Sequence, residues 1–223
     1  MAIDVKICGL RTPEAVDKAV QRGASHLGFI FFGPSPRNIE PDDAARLADR
    51  VRGRTKIVAV TVDADNDMLD EIVSQLDPDL LQLHGHETAD RVLEVGAIYG
   101  KPIIKAFSVR EADDLRGLEA YQGIVERFLF DAKAPKGSLL PGGNGVSFDW
   151  RLLAALDGKV DYMLSGGLNA DNIGEALSLT GAHAVDVSSG VESAPGVKDL
   201  SRMDAFFDAL DAATADERAR SRM

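Results

Sequence analysis

Apolar residues along this chain recur in two alternating rhythms. Short, nearly continuous runs rich in valine, isoleucine, leucine and phenylalanine stand at 3–8, 26–32, 57–62, 80–84, 103–107, 128–131, 161–165 and 184–187. Runs of this length with few polar interruptions, such as 57–62, predict strands buried on both faces. Between them the spacing changes to three and four residues. Ala15, Val16, Ala19 and Val20 share one helical face, as do Ala44, Leu47, Ala48 and Val51, and Met68, Leu69, Ile72, Val73 and Leu76. The pattern continues at 88–95, at Ala112, Leu115, Leu118 and Tyr121, at Leu152, Leu153 and Leu156, between the last two strands, and at Leu200, Met203, Phe206, Phe207 and Leu210. Thr12-Pro13-Glu14 supplies a capping hydroxyl, a proline at the first helical position and an early acid, and Gly23 stops that helix.

Eight strands and eight helices in strict alternation imply a parallel sheet with right-handed crossovers. Eight such units close most simply into a single (β/α)8 TIM barrel. A doubly wound open sheet is the competing architecture, but the first strand lacks the G-x-G-x-x-G turn of a dinucleotide fold. The expected organisation is one catalytic domain over 1–223, with a frayed tail from about 213.

Charge and cysteine usage narrow the partners. A formal net charge of −11 argues against nucleic acid or an anionic membrane, so any anionic ligand needs local positive charge in its site. One cysteine in 223 residues excludes an internal disulfide, and no leader or long apolar run is visible, which together read as cytoplasmic.

In a barrel the chemistry sits where strands end and βα loops begin. Those positions hold Lys6, Cys8, Arg37, Asp63, His84, Asp131, Lys133 and Asp186, which are expected to converge on one mouth. Cys8 reads either as a small core hydrophobe or, if nearby cations lower its pKa, as a base or nucleophile. Asp131, after an apolar run, reads as a desolvated general acid, or else as an ion-pair partner of Lys133 or a cap for the next loop. Arg37, between two prolines, suits a bidentate grip on a carboxylate; the plain alternative is a solvated arginine. His84 either contacts a ligand or merely ends a strand, and with His86 it has no third partner at metal-site spacing. The small residues Gly166, Gly167, Ser188, Ser189 and Gly190 follow the last two strands and leave backbone N–H groups free for a phosphate cup. The loop over 132–147 is long and rich in glycine and proline, as in a lid or binding loop.

Seven motifs in order, KICGL at 6–10, FGPSPR at 32–37, QLHG at 82–85, FDAK at 130–133, PGGNGVSFDW at 141–150, LSGGLN at 164–169 and VDVSSGVE at 185–192, resemble the phosphoribosylanthranilate isomerases of tryptophan biosynthesis. The resemblance implies an Amadori rearrangement of a phosphosugar substrate with no metal or organic cofactor. It implies Cys8 as general base, Asp131 as general acid and Arg37 as the carboxylate contact. It also implies the small residues above as the phosphate cup and Asp186 as a sugar contact, with His84 a weaker substrate assignment. Barrels of this kind occur as monomers and dimers, so the chain is expected as a monomer or homodimer. One departure is Asn144, where the family pattern calls for serine or threonine. The related isomerase of histidine biosynthesis, and enzymes serving both pathways, use paired aspartates where the first strand here offers Cys8. A silent phosphosugar-binding protein on this scaffold needs neither acid nor base.

Overall fold

The computed structural model describes residues 3–133, 142, 143, 145, 147–156 and 160–220. Eight parallel strands, β1 (Asp4–Cys8), β2 (His26–Phe31), β3 (Lys56–Thr61), β4 (Leu80–Leu83), β5 (Ile103–Val109), β6 (Arg127–Ala132), β7 (Tyr162–Leu164) and β8 (Ala184–Val187), close into a barrel in sequence order. The α-helices α1 (Pro13–Gln21), α2 (Pro41–Asp49), α3 (Asn66–Leu76), α4 (Ala89–Tyr99), α5 (Ile173–Thr180) and α6 (Leu200–Arg220) follow β1, β2, β3, β4, β7 and β8. Thr12 caps α1 as its sequence predicts, its hydroxyl accepting from the Ala15 N–H at 3.3 Å.

Two of the eight expected helices are something shorter. After β5 the chain forms two 3₁₀ turns, Ala112–Leu115 and Leu118–Tyr121. Gly117 between them has φ +83, a left-handed conformation that no continuous helix contains. The connection after β6 ends in a 3₁₀ segment, Trp150–Leu156. The final helix continues to Arg220, through most of the segment expected to fray. A small antiparallel hairpin, β9 (Glu192–Ala194) with β10 (Val197–Lys198), was not expected; Gly196 turns it at φ +81.

Strand alternation sorts the core into two layers. Ile7, Phe29, Ile57, Leu81, Phe130 and Val185 face the helices, while Val58, Val60, Leu80, Ile104, Leu129, Met163 and Ala184 fill the barrel interior. Cys8 belongs to the interior set, and the same parity along β4, β6 and β8 points Gln82, Asp131 and Asp186 inward.

His26 starts β2, 5% exposed, with its Nδ1 2.8 Å from the Ser25 hydroxyl. Burial lowers its pKa from the ordinary 6.5 to about 4, with Asp4 opposing and Lys56 adding to the effect. The unfolded chain therefore takes up this proton first as the pH falls. Stability should drop between pH 6.5 and 4 by about 3 kcal/mol at ~1.4 kcal/mol per pH unit, a loss absent from His26→Gln. Urea midpoints of both proteins across that range test this; parallel curves would refute it.

Candidate active site

The C-terminal ends of the strands surround a cleft of about 730 Å³. It is lined by Cys8, Arg37, His84, Asp131, Gly167, Asp186, Ser188 and Ser189, together with apolar Ile30, Phe32, Val60, Val62 and Leu168. Eight sequence-predicted residues thus share one wall.

Cys8 ends β1 beside Gly28, its register partner on β2. Burial pushes its thiol above the ordinary value; Lys6 and then Lys198 pull down, Asp186 pushes up, and the net effect is upward. The expectation of a pKa lowered by cations is therefore corrected, because desolvation outweighs them. Lys6 does not reach the mouth. It lies inside the barrel, 0% exposed, and donates to Asp186 Oδ1 at 2.8 Å. Burial opposes its charge, but Asp186 above all, and then Cys8, hold the ammonium above its ordinary pKa. The other Asp186 oxygen accepts from the Ser165 hydroxyl at 3.2 Å.

Across the cleft, Asp131 is 5% exposed and its Oδ1 accepts from the Ala132 N–H at 2.8 Å. Its Oδ2 lies 3.4 Å from His84 Nε2. The Gln82 amide nitrogen is 2.9 Å from His84 Nδ1, and a ring that accepts there carries its proton on Nε2, facing the acid. Gly142 closes over this pair: a Cβ there would stand 2.3 Å from Asp131 Oδ2 and 3.0 Å from His84 Nε2, so only glycine permits the approach. The rest of that loop, 134–141 with Asn144 and 146, lies outside the described residues.

Arg37 does make a bidentate grip, but on the protein itself. Its Nε and Nη2 donate to the two oxygens of Glu192 at 2.8 and 2.7 Å, and Nη2 also reaches the Gly143 carbonyl at 3.2 Å. Lys198 donates to Glu192 Oε1 at 2.6 Å and to the Ser188 carbonyl at 3.0 Å. Burial alone would push Glu192 up; Arg37 and Lys198 hold it below its ordinary range. Burial also pulls Lys198 down, against the opposing pull of Glu192. The β9–β10 hairpin thereby links the arginine to the Ser188 end of the cleft.

Gly166 and Gly190 stand behind the lining. A Cβ at Gly166, where φ is +89, would meet the Ala132 N at 2.8 Å, and one at Gly190 would meet the Leu168 carbonyl at 1.8 Å. Gly166 lets the loop after β7 pack on the backbone at the end of β6, and Gly190 lets the loop after β8 pack on the backbone of the loop after β7. Besides Lys6, two further candidates do not join the site. Asp63 turns its carboxylate to the His86 N–H, and Lys133 pairs with Asp114 at 2.7 Å rather than with Asp131. Gln82, Ser165 and Lys198 were missed. Pro195-Gly196 between Ser193 and Val197 was the available signal for the hairpin that carries Lys198.

The family model described as N-(5′-phosphoribosyl)anthranilate (PRA) isomerase matches residues 5–209. The chain belongs to the phosphoribosylanthranilate isomerase family. It is 75% identical over 215 residues to the N-(5′-phosphoribosyl)anthranilate isomerase of Sinorhizobium fredii, covering 96% of each chain. Identity to the isomerase of Rhizobium meliloti is 71%, over 96% of this chain and 100% of the relative. Among solved structures, the phosphoribosylanthranilate isomerase of Thermotoga maritima superposes with a TM-score of 0.85 at 31% identity, over 94% of this chain and 99% of its own. A phosphoribosylanthranilate isomerase in complex with reduced 1-(o-carboxyphenylamino)-1-deoxyribulose 5-phosphate gives a TM-score of 0.82 at 29% identity, with the same coverage. The isomerase barrel is thus the observed fold, and among the described residues no helix is long and apolar enough to cross a membrane.

Proposed function

We propose that the cleft carries out the family's reaction through Cys8 and Asp131. The reaction is the Amadori rearrangement of N-(5-phosphoribosyl)anthranilate to 1-(2-carboxyphenylamino)-1-deoxyribulose 5-phosphate, a step of tryptophan biosynthesis. The observation that carries the assignment of roles is the meeting in one cleft of a thiol, the buried Asp131 carboxyl, an arginine and the small-residue loops after β7 and β8.

Asp131 gives its proton to the furanose ring oxygen, and the C1′–O bond breaks to leave a Schiff base. Its positive charge acidifies the C2′ proton. Cys8, as thiolate, takes that proton, and the C–H electron pair moves into the enolamine, which tautomerises to the ketone. His84 faces the Asp131 carboxyl and serves to orient it. The anthranilate carboxylate goes to Arg37, whose Nη1 is the guanidinium nitrogen outside the Glu192 grip. The phosphate goes to the backbone N–H groups of Gly166, Gly167, Ser188, Ser189 and Gly190. Asp186 keeps acceptor capacity toward the sugar hydroxyls while bound to Lys6 and Ser165. We place the reaction in the cytoplasm, where a chain with one cysteine needs no oxidising environment.

Freshly generated phosphoribosylanthranilate tests the proposal through its fluorescence. With the purified chain it should decay far faster than spontaneously, without return of free anthranilate. A folded protein that leaves the spontaneous rate unchanged would overturn the reading.

A further inference from the structure

Among the described residues, the barrel interior is apolar except at the buried, inward-facing Lys6, His26, Gln82, Asp131, Ser165 and Asp186. An ion pair there does not explain itself by stability, since a well-packed apolar pair serves as well or better. Its placement gives the reason. Lys6 and Cys8 lie two residues apart on the inner face of β1, with Gly28 of β2 beside them in register with Cys8. A Cβ at Gly28 would stand 3.0 Å from Cys8 Sγ and 3.1 Å from both Cε and Nζ of Lys6. Ammonium and sulfur therefore converge over the one position on that wall that carries no side chain. Asp186, the register partner of Lys6 on β8, holds the ammonium there through its 2.8 Å contact.

The geometry points to Lys6 as a positioning residue that stabilises the thiolate of Cys8 in the proton-abstraction step, with Gly28 keeping the space in which the two meet. The inference rests on Cys8 being the base. In that step the C2′ proton passes to Sγ, the C–H electron pair passes toward the iminium nitrogen, and Lys6 keeps its protons throughout. Other charged or titratable groups face the sulfur: Asp186 from β8, Lys198 from β10, and Asp131 and His84 from across the cleft. From β2, Gly28 is the register partner of Cys8, and the buried His26, two residues before it, is the register partner of Lys6. Burial opposes the thiolate most, and Lys6 is the largest force in its favour.

Cys8 is the only cysteine, so thiolate absorbance near 240 nm, corrected with Cys8→Ser, titrates this group alone. Lys6→Met is expected to raise the midpoint by at least about one pH unit. At pH 7 it should lower kcat about tenfold with KM little changed, the rate recovering as the pH rises. Gly28→Ala keeps every charge and pushes the two groups apart by a few tenths of an ångström, so a smaller upward shift is expected. It decides the matter if Lys6→Met, which strands the Asp186 carboxylate, does not fold. Midpoints equal to the parent's would overturn the inference. Because the titration needs no turnover, activity surviving in Cys8→Ser would instead overturn the choice of base.

Discussion

Asp131→Asn is expected to lower kcat by at least about two orders of magnitude while leaving the fold intact. The amide is isosteric, its oxygen can keep the 2.8 Å bond from the Ala132 N–H, and no new volume enters beneath Gly142. Only the transferable proton is lost, and nothing else placed near the ring oxygen supplies one as directly. His84, with Nε2 at 3.4 Å from Asp131, is the nearest substitute and sets the residual rate. Cys8→Ser should lose a similar factor for the opposite reason, since a hydroxyl ionises too weakly to serve as a base near neutral pH. The two groups act in sequence on one substrate, so the double variant should fall well short of the product of the single losses. Fluorescence decay measured at saturating substrate, beside melting curves, separates chemistry from folding. Either variant keeping a tenth of the parental kcat would remove that residue from its role.

The barrel was legible because its evidence is periodic. Apolar runs alternating with helical spacing gave all eight strands, and 184–187 coincides with β8 to the residue. What failed was local. Ala112, Leu115, Leu118 and Tyr121 hold helical spacing, yet Gly117 interrupts it at φ +83. At the site, strand ends pointed to one cleft for Cys8, His84, Asp131 and Asp186, and the structure brings them together there because position alone determines which face such residues share. Partner choice was not legible. Arg37 looked free to grip a ligand, and its carboxylate, Glu192, lies 155 residues away across the mouth. Lys133 and Asp131, two residues apart, could have paired, yet Lys133 lies beyond the end of β6 and finds Asp114 instead. Long-range ion pairs leave no periodic trace.

The same limit hid a structural ion pair, and its removal carries the largest expected loss of stability. Lys105 sits within the apolar run of β5, and its partner Glu87 lies in the loop after β4 that begins with His84; both side chains are 3% exposed. Lys105 Nζ donates to Glu87 Oε2 at 2.9 Å and to the carbonyls of Gly85 and Ala106 at 2.9 and 3.0 Å, 5.3 Å from the Phe107 ring centre. Glu87 Oε1 accepts from the Asp63 and Gly85 N–H groups at 3.0 and 3.1 Å. Lys105→Met keeps the apolar stem but strands a desolvated carboxylate, which should cost about 3–5 kcal/mol and lower Tm by roughly 10 °C. Adding Glu87→Gln should recover part of that, because the unpaired charge, rather than the missing attraction, dominates the loss. Glu87 also fixes the turn between His84 and α4, so KM and kcat should worsen in Lys105→Met at temperatures where the chain is still folded. Urea unfolding of the three proteins measures the stability terms. A loss under about 1 kcal/mol for Lys105→Met would mean that water reaches this pair and that the loop bearing His84 is held by its backbone contacts alone.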